Sequence, residues 1–596
     1  MDQQDEAPER PYDAALLRRL LRYALPYRRD VALAVALLMA GGLLALVGPW
    51  LTQRALDVAI PRRDGGMLVL LTAAFLGALL VEFVQEYAST LVTTRIGQRV
   101  MLDLRAQLFE RLQRLSISYF DRNPVGRLIT RVTSDVETLN ELFSSGLVAL
   151  FGDFFTLAAI MVAMLVMDWR LALVAFTVVP LIWIIAVMFR RRIRDAFRDI
   201  RGKVARLNAF LQEHLSGMRV VQLFGREEEA ARRFDAVNRD HLGAHLRAIT
   251  IYAVFLPIGE VITAVALASL LWVGGLRIGG TLTVGVLAAF IQLTRRFFQP
   301  LQDLSDKFNL LQSAMASSER IFRLLDTPVE VPEPQNPVPL PVPLRGEVRF
   351  EGVWFRYRAE GPWVLEDVSF TARPGETVAL VGHTGAGKTT IISLLLRFYD
   401  PDRGRILLDG VDIRDPSLSD LRSAVGYVQQ DLFLFAGDIE RNILLDATGG
   451  RETAAAAARR TGADRFIARL PKGYGHILGE RGRSLSVGER QLLSFARALA
   501  RDPAILVLDE ATSSVDAEAE ARIQAAVREL MSGRTSLVVA HRLSTIVDAD
   551  EILVLHHGRI RERGNHATLL AQDGLYRRLV RLQFAAPPVP VAPDPA

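Results

Sequence analysis

Cysteine is absent from all 596 residues, which excludes disulfides, thiolate metal sites and thiol redox chemistry. Lysine is scarce. Lys203, Lys307, Lys388 and Lys472 are the whole set, so arginine carries nearly all the positive charge. The formal net charge is only +5, and no basic patch is interleaved with stacking aromatics, so nucleic acid is not an expected partner. The first thirty residues carry acids and then an arginine-rich amphipathic stretch, Leu16 to Arg29. They hold no apolar core followed by a cleavage site, so no cleaved signal peptide is expected.

Hydrophobic residues, by contrast, are abundant. They make up 50% of the chain, with a mean hydropathy of +0.21, and they concentrate before about residue 310. A helix needs about 20 apolar residues to cross a bilayer. Val31 to Leu51, Met67 to Val92, Ser144 to Met167, Leu171 to Phe189, Ile251 to Val273 and the shorter Leu282 to Leu293 give six expected spans. Asp168-Trp169-Arg170 joins the third and fourth as a hairpin, whereas long polar helical stretches follow the second and fourth. Arginines crowd those two excursions (Arg95, Arg99, Arg105; Arg190, Arg191, Arg192) and the segment before span one (Arg18, Arg19, Arg22). The positive-inside rule therefore puts both termini and both excursions in the cytoplasm of a multi-pass protein of the cytoplasmic membrane.

A chain of this length exceeds one core, and composition marks the divisions. Residues 1–30 read as an amphipathic lead-in and 31–325 as the all-α six-helix membrane domain. The proline-rich 326–345 reads as an extended linker, 346–584 as an α/β nucleotide-binding domain, and the Pro/Ala-rich 585–596 as a disordered tail.

The chemistry sits in the α/β part. Gly382-His383-Thr384-Gly385-Ala386-Gly387-Lys388-Thr389, followed by Thr390, fits the phosphate-binding pattern GxxxxGK[ST]. The apolar run Thr377 to Val381 before it reads as a buried strand, and Ile391 to Phe398 after it as a helix. In that setting the glycines let backbone N–H groups turn toward phosphate oxygens, Lys388 adds a point charge near the β/γ-phosphates, and Thr389 offers a hydroxyl to Mg²⁺.

Ile505 to Leu508 is an apolar strand ending on Asp509-Glu510. Beside the loop, Asp509 can hold Mg²⁺ through water while Glu510 polarises an attacking water; taken alone, the pair is a strand end with solvated acids. Ser536 to Ala540 is a second such strand, and His541 at its end can reach a γ-phosphate oxygen. Gln430, after Val425 to Val428, can reach Mg²⁺ and the water. Tyr357 can stack on adenine, although core packing explains a lone tyrosine equally well. Leu485-Ser486-Val487-Gly488-Glu489 opens a helical stretch running to Ala500. Ser486 and Gly488 there can present donors and the helix dipole to an anion, or can form an ordinary N-cap.

Taken together and in this order, the set resembles the ATP-binding cassette of ABC transporters, over roughly residues 346–584. Gly479-Glu480-Arg481-Gly482 is similar to an element of the exporters. With six spans fused ahead of the cassette, the whole resembles a type IV exporter half-transporter. The resemblance implies ATP and Mg²⁺ as cofactors, with Tyr357, the phosphate loop through Thr390, Gln430, Asp509 and Asp516 in contact with nucleotide. It implies hydrolysis by Glu510 with His541 and Gln430, and metal contacts from Thr389, Gln430 and Asp509. It also implies that Ser486 and Gly488 face the nucleotide of a second half-transporter, and that Val125 to Arg131 and Gln212 to Gly217 are coupling segments. The family signature is LSGGQ, and here Val487 and Glu489 depart from it. On that departure an unlike partner is expected in preference to an identical one.

The expected cargo is a small amphipathic compound (drug, lipid or lipid-like) taken from the membrane. A peptide or lipid-linked precursor exporter or flippase of the same family is the alternative. Glu82, Glu86, Asp153, Glu260, Arg295 and Arg296 fall in or beside spans, and such charges face a cavity or a partner. Unpaired acids would favour cationic amphiphiles, so that Asp153→Asn and Glu260→Gln weaken transport of a cationic drug. Dominant arginines would favour anionic lipids or peptides, and interhelical pairing is the structural alternative. A soluble ATPase acting on DNA or ribosomes shares the nucleotide motifs but not the spans. A peptide exporter with its own protease needs a cysteine that this chain lacks.

Overall fold

The computed structural model describes residues 14–278, 282–445, 447, 449–509, 517–539 and 546–584. The tail at 585–596 lies outside them, as do Glu510, Asp516 and His541. The chain forms two compact units, one of residues up to 113 and 125–327, the other of 114–124 and 328 onward.

The described residues of the first unit form helices, apart from short connections and an isolated bridge between Ile278 and Leu282. Its long helices are Arg28–Arg54, Gly65–Arg114, Leu147–Met167, Val179–Ser216, Glu227–Gly275 and Val284–Asp326. At 1.5 Å per residue the 50-residue helix Gly65–Arg114 is about 75 Å long, against about 30 Å of hydrocarbon, so its polar half has to project out of the membrane. Among the described residues, four segments are long and apolar enough to cross: Leu25–Ala59, Gly65–Arg114, Leu150–Met167 and Glu227–Gly275.

The other two expected spans differ for local reasons. The fourth is divided between Trp169–Phe176 and Val179–Ser216, with a proline (Pro180) in the first turn of the second piece. Proline lacks the N–H that a continuous helix would need there. The sixth lies within Val284–Asp326, where Arg295 and Arg296 interrupt the apolar run. Ile160, Met164, Leu171, Leu270 and Phe290 form a buried core among these helices. Leu70, Phe83, Phe154, Val166 and Trp272 are exposed on the outside, as a lipid-facing surface requires.

Three of the six charges singled out in the spans are paired. Arg296 binds Glu82 at 3.1 Å, Lys307 is bonded to Asp153, and Arg277 binds Asp168 at 3.0 Å, while Glu86, Glu260 and Arg295 are exposed. Removing one member of a desolvated pair strands the other. Asp153→Asn is therefore expected to lower the unfolding midpoint in detergent by several degrees, and Asp153→Leu with Lys307→Met to regain most of it. Additive losses in that double-mutant cycle would show that the pair contributes nothing.

The second unit carries three sheets. An antiparallel sheet has the order β2-β1-β4-β5, from β1 (Val348–Phe355), β2 (Leu365–Ala372), β4 (Arg403–Leu408) and β5 (Val411–Asp412). The main sheet has the order β12-β11-β3-β10-β9-β6, from β3 (Thr377–Val381), β6 (Val425–Val428), β9 (Ile505–Asp509), β10 (Thr535–Val539), β11 (Glu551–His556) and β12 (Arg559–Gly564). In it β11, β3, β10, β9 and β6 run parallel and β12 is an antiparallel edge. β7 (Gly437–Asp438) and β8 (Ile477–Leu478) make a small ribbon.

The short apolar runs of β3, β9 and β10 suit strands covered on both faces. Alternate residues feed two cores: Ala379, Val381, Leu506, Leu508 and Val538 one of them, Val378, Leu380, Val507, Leu537 and Val539 the other.

Two segments bear on where the units divide. The proline-rich stretch after Thr327 lies against the α/β unit: the Val338 N–H donates to the Asp415 carbonyl at 2.9 Å, and Leu340 and Leu344 pack on the core. Residues 114–124 belong to the same unit, whereas the segment from Val125, expected to couple, belongs to the other.

Candidate functional site

β3 ends at Val381, and the phosphate loop turns from there into the helix Lys388–Leu395. Three glycines make that path available. Gly385 and Gly387 hold φ values of +82° and +103°, in the left-handed region that only glycine enters freely. A Cβ on Gly387 would also lie 2.6 Å from Leu365 Cδ2, and one on Gly382 would lie 2.4 Å from the Leu555 carbonyl oxygen.

The Lys388 side chain folds back across its own loop, with Nζ donating to the Gly382 carbonyl at 2.6 Å and the His383 carbonyl at 3.0 Å. Burial holds its ammonium below the usual lysine range, and the Asp509 carboxylate pulls the other way. The loop is thus a tight glycine-shaped turn with a cation bridging its mouth, a shape that suits an oxyanion chain.

Register brings the remaining groups to the same edge. Val539 is paired with both Leu380 and Asp509, and Val428 is paired with Leu508, so Gln430 and Asp509 leave neighbouring strands together. Asp509 is buried at the end of β9, and burial with this charge nearby pushes the Tyr427 phenol up to about 12. A cavity of about 600 Å³ is lined by Gln430, Asp509, Val487, Arg490 and Gln491, and joins the glutamine to the start of the signature helix.

The exposed Thr389, the buried Asp509 and the exposed Gln430 are hydroxyl, carboxylate and amide donors. An all-oxygen set of this kind fits Mg²⁺ better than a softer ion. Thr390 is buried and faces elsewhere, its hydroxyl 3.0 Å from the Tyr357 hydroxyl. Tyr357 leaves 44% of its surface open and packs nearly perpendicular to the rings of Phe355 and Tyr399.

The signature helix Val487–Leu499 begins with a reciprocal cap. The Glu489 N–H donates to Ser486 Oγ at 3.2 Å, and the Ser486 N–H donates to the Glu489 carboxylate at 2.8 Å. Glutamate and glutamine serve equally at this third position, so the Glu489 departure preserves the local fold and changes only its charge. Glu489 shares a small cleft with Arg465, Arg469 and Arg522.

Several neighbours were not legible beforehand. The Tyr399 hydroxyl donates to Asp121, in the short helix Ile117–Arg122. Arg122 and Ser118 both bind Glu330 at 2.5 Å, so this helix is fixed to the α/β unit by three polar contacts. Ser116 ahead of the helix and Asn123-Pro124 behind it were the available signals.

A family model described as "ABC transporter transmembrane region" matches residues 31–301, and one described as "ABC transporter" matches residues 365–513. The chain is 37% identical over 571 residues to the ATP-dependent lipid A-core flippase of Syntrophus aciditrophicus, covering 96% of the chain and 94% of that protein. It is 42% identical over 520 residues to the fatty acid ABC transporter ATP-binding/permease protein of Mycobacterium tuberculosis, covering 86% and 80%. Among solved structures, a bacterial Atm1-family ABC exporter with ATP bound aligns with a TM-score of 0.76 at 30% identity, over 94% of this chain and 99% of that one.

Proposed function

The chain belongs to the ABC exporters, and from that premise we propose that it moves an apolar, lipid-like amphiphile across the membrane as one half of a dimer with an unlike partner. As a member it is an ATPase coupled to transmembrane transport, with a membrane-embedded helical domain and a cytoplasmic cassette that binds ATP.

One observation carries the choice of cargo. A cavity of about 640 Å³ opens within the membrane unit, lined by Leu43, Val47, Trp50, Phe155 and Val162, with Gln53 as the one amide among the described lining residues. With no acid or base among its described lining residues, that cavity offers dispersion and little net charge. Such a lining favours an acyl chain over a hydrophilic cation. The lipid A-core and fatty acid names of two relatives support the same reading. In proteoliposomes, fatty acids or lipids are expected to stimulate ATPase and to be transported. Stimulation confined to hydrophilic cations would overturn the assignment.

Within the cassette we propose the following roles. Lys388 swings from its own carbonyls to the β/γ-phosphates, and Tyr357 stacks on adenine. Ser486 and Gly488 close on the nucleotide of the second chain. Thr389, Asp509 and Gln430 would hold Mg²⁺, which supplies positive charge to the phosphates. Glu510 and His541 keep the hydrolytic roles expected of them, and Asp516 its nucleotide contact.

Glu489 motivates the unlike partner, since its carboxylate faces a triphosphate across the closed dimer. The three arginines in its cleft favour the competing reading, an identical partner. Robust, substrate-stimulated ATPase from the chain purified alone, with both sites turning over, selects that second reading. In either assembly Glu489→Gln keeps the cap and removes the charge. It is expected to lower the KM for ATP roughly two- to tenfold, as loss of one screened like-charge contact would. An unchanged KM would show that the carboxylate does not face nucleotide.

A further inference from the structure

Three of the nine histidines meet at one point, and nothing in the nucleotide chemistry uses their rings. β3 and β11 run parallel with Val381 opposite Val554, so two residues further along His383 comes beside His556. The absent side chain at Gly382 lets the strands stay this close, since a Cβ there would meet the Leu555 carbonyl at 2.4 Å. His383 Nε2 lies 3.1 Å from His556 Nδ1, and one ring nitrogen from each of His383, His556 and His557 falls within 4.8 Å of the others.

We propose that His383, His556 and His557 bind one divalent transition-metal ion of the zinc class, tying the phosphate loop to the turn after β11.

The ligand geometry is in place on the loop side. A carbonyl can only accept, so the 3.0 Å contact of His383 Nδ1 with the Thr384 carbonyl places the ring proton on Nδ1 and leaves the Nε2 lone pair facing the cluster. This is how metal-binding histidines are oriented, the second ring nitrogen donating to a backbone carbonyl. Two ligands at 2.0–2.1 Å on a tetrahedral ion stand about 3.3 Å apart, near the separation of His383 and His556.

His557 closes the set from a less usual position. Its φ is +47° and that of Gly558 is +72°, the paired left-handed residues of a tight hairpin turn where Asn or Gly is the ordinary first residue. Three imidazoles with no carboxylate in the group select zinc, copper or nickel over magnesium or calcium, and leave one coordination position open.

Occupation would hold His383 where its carbonyl accepts the Lys388 ammonium, the resting form of the loop. Bound metal is therefore inhibitory; this consequence rests on the nucleotide role proposed for Lys388, whereas binding itself does not.

The test uses the full chain without a polyhistidine tag, in detergent and free of nucleotide, titrated with Zn²⁺ and Co²⁺ against a chromophoric chelator. His557→Asn is the main variant because asparagine suits the left-handed turn and removes one ligand; His556→Gln is the second, and thermal melting confirms that both are folded. The expected result is one equivalent of metal that both variants bind at least about tenfold more weakly, with a tetrahedral Co²⁺ spectrum in the parent chain only. The neighbouring rings of His241 and His245 contribute a background that all three proteins share. Equal binding by parent and variants overturns the site.

ATPase is then measured at buffered free zinc, where at least threefold slowing of the parent and none of His557→Asn is expected. Bound zinc without slowing removes the regulatory step. A parent with no ATPase in zinc-free buffer would count against the nucleotide reading, while the binding result stands on its own.

Discussion

Lys388→Ala is expected to reduce ATP turnover by at least about a hundredfold while leaving the unfolding midpoint unchanged or slightly higher. A preorganised donor aimed at developing charge in a dry site contributes rate factors of about 10² to 10³. Lys388 is such a donor, 7% exposed and bridging the mouth of the loop.

The stability half of the expectation follows from the sign of its titration. Burial is the larger influence and depresses the folded-state pKa, only partly offset by Asp509. A lysine with a depressed folded pKa disfavours folding wherever the unfolded chain would hold the proton; that penalty is full below the folded pKa, fades as pH rises through it and is gone above the unfolded value. At neutral pH, then, removing the ammonium removes a desolvated charge, against the loss of two hydrogen bonds to carbonyls. ATPase assays paired with scanning calorimetry separate the two effects. Retained turnover would show that the lysine is not the phosphate cation, and lost turnover with a collapsed midpoint would show that it is structural.

The phosphate loop, the acidic strand end and the signature could be seen in advance because each is a local pattern. A run of five apolar residues, a glycine at a fixed offset and a polar cap need only their neighbours in sequence. Ser486 and Glu489 show how far this extends, since the capping box that joins them is itself a four-residue pattern. The divided fourth span was less visible, because its hydropathy is continuous and only Pro180 marks the break.

What stayed hidden depends on register between distant strands or on docking. His383 and His556 are 173 residues apart, and only the pairing of Val381 with Val554 makes them neighbours. Lys307 and Asp153 lie on separate helices whose packing no single-helix pattern specifies. Residues 114–124 carry a clear stop at Asn123-Pro124, yet nothing local says which unit they join.

That docked segment gives the second large effect. Asp121→Ala is expected to lower substrate transport about tenfold or more in proteoliposomes, with ATPase kept within about twofold. The helix Ile117–Arg122 lies at the end of the first long excursion from the membrane domain, and Asp121 accepts the hydroxyl proton of Tyr399. Burial first, and the Asp121 carboxylate second, hold the Tyr399 phenol far above its ordinary range, so the proton stays on the tyrosine at any working pH.

Tyr399 in turn packs edge-on against Tyr357, with ring centroids 5.2 Å apart, so the docking contact is one side chain from the platform proposed for adenine. A hydrogen bond to a charged acceptor contributes about 1.5–3 kcal/mol, which is roughly a ten- to hundredfold change in the docked population. Tyr399→Phe removes the same bond from the other side and leaves the ring packing in place. If the bond is what couples the two events, the double variant transports no worse than either single one, because each already breaks it. Transport and ATPase falling together in Asp121→Ala would mean that the contact supports the cassette itself, and strictly additive losses would mean that the two residues act separately.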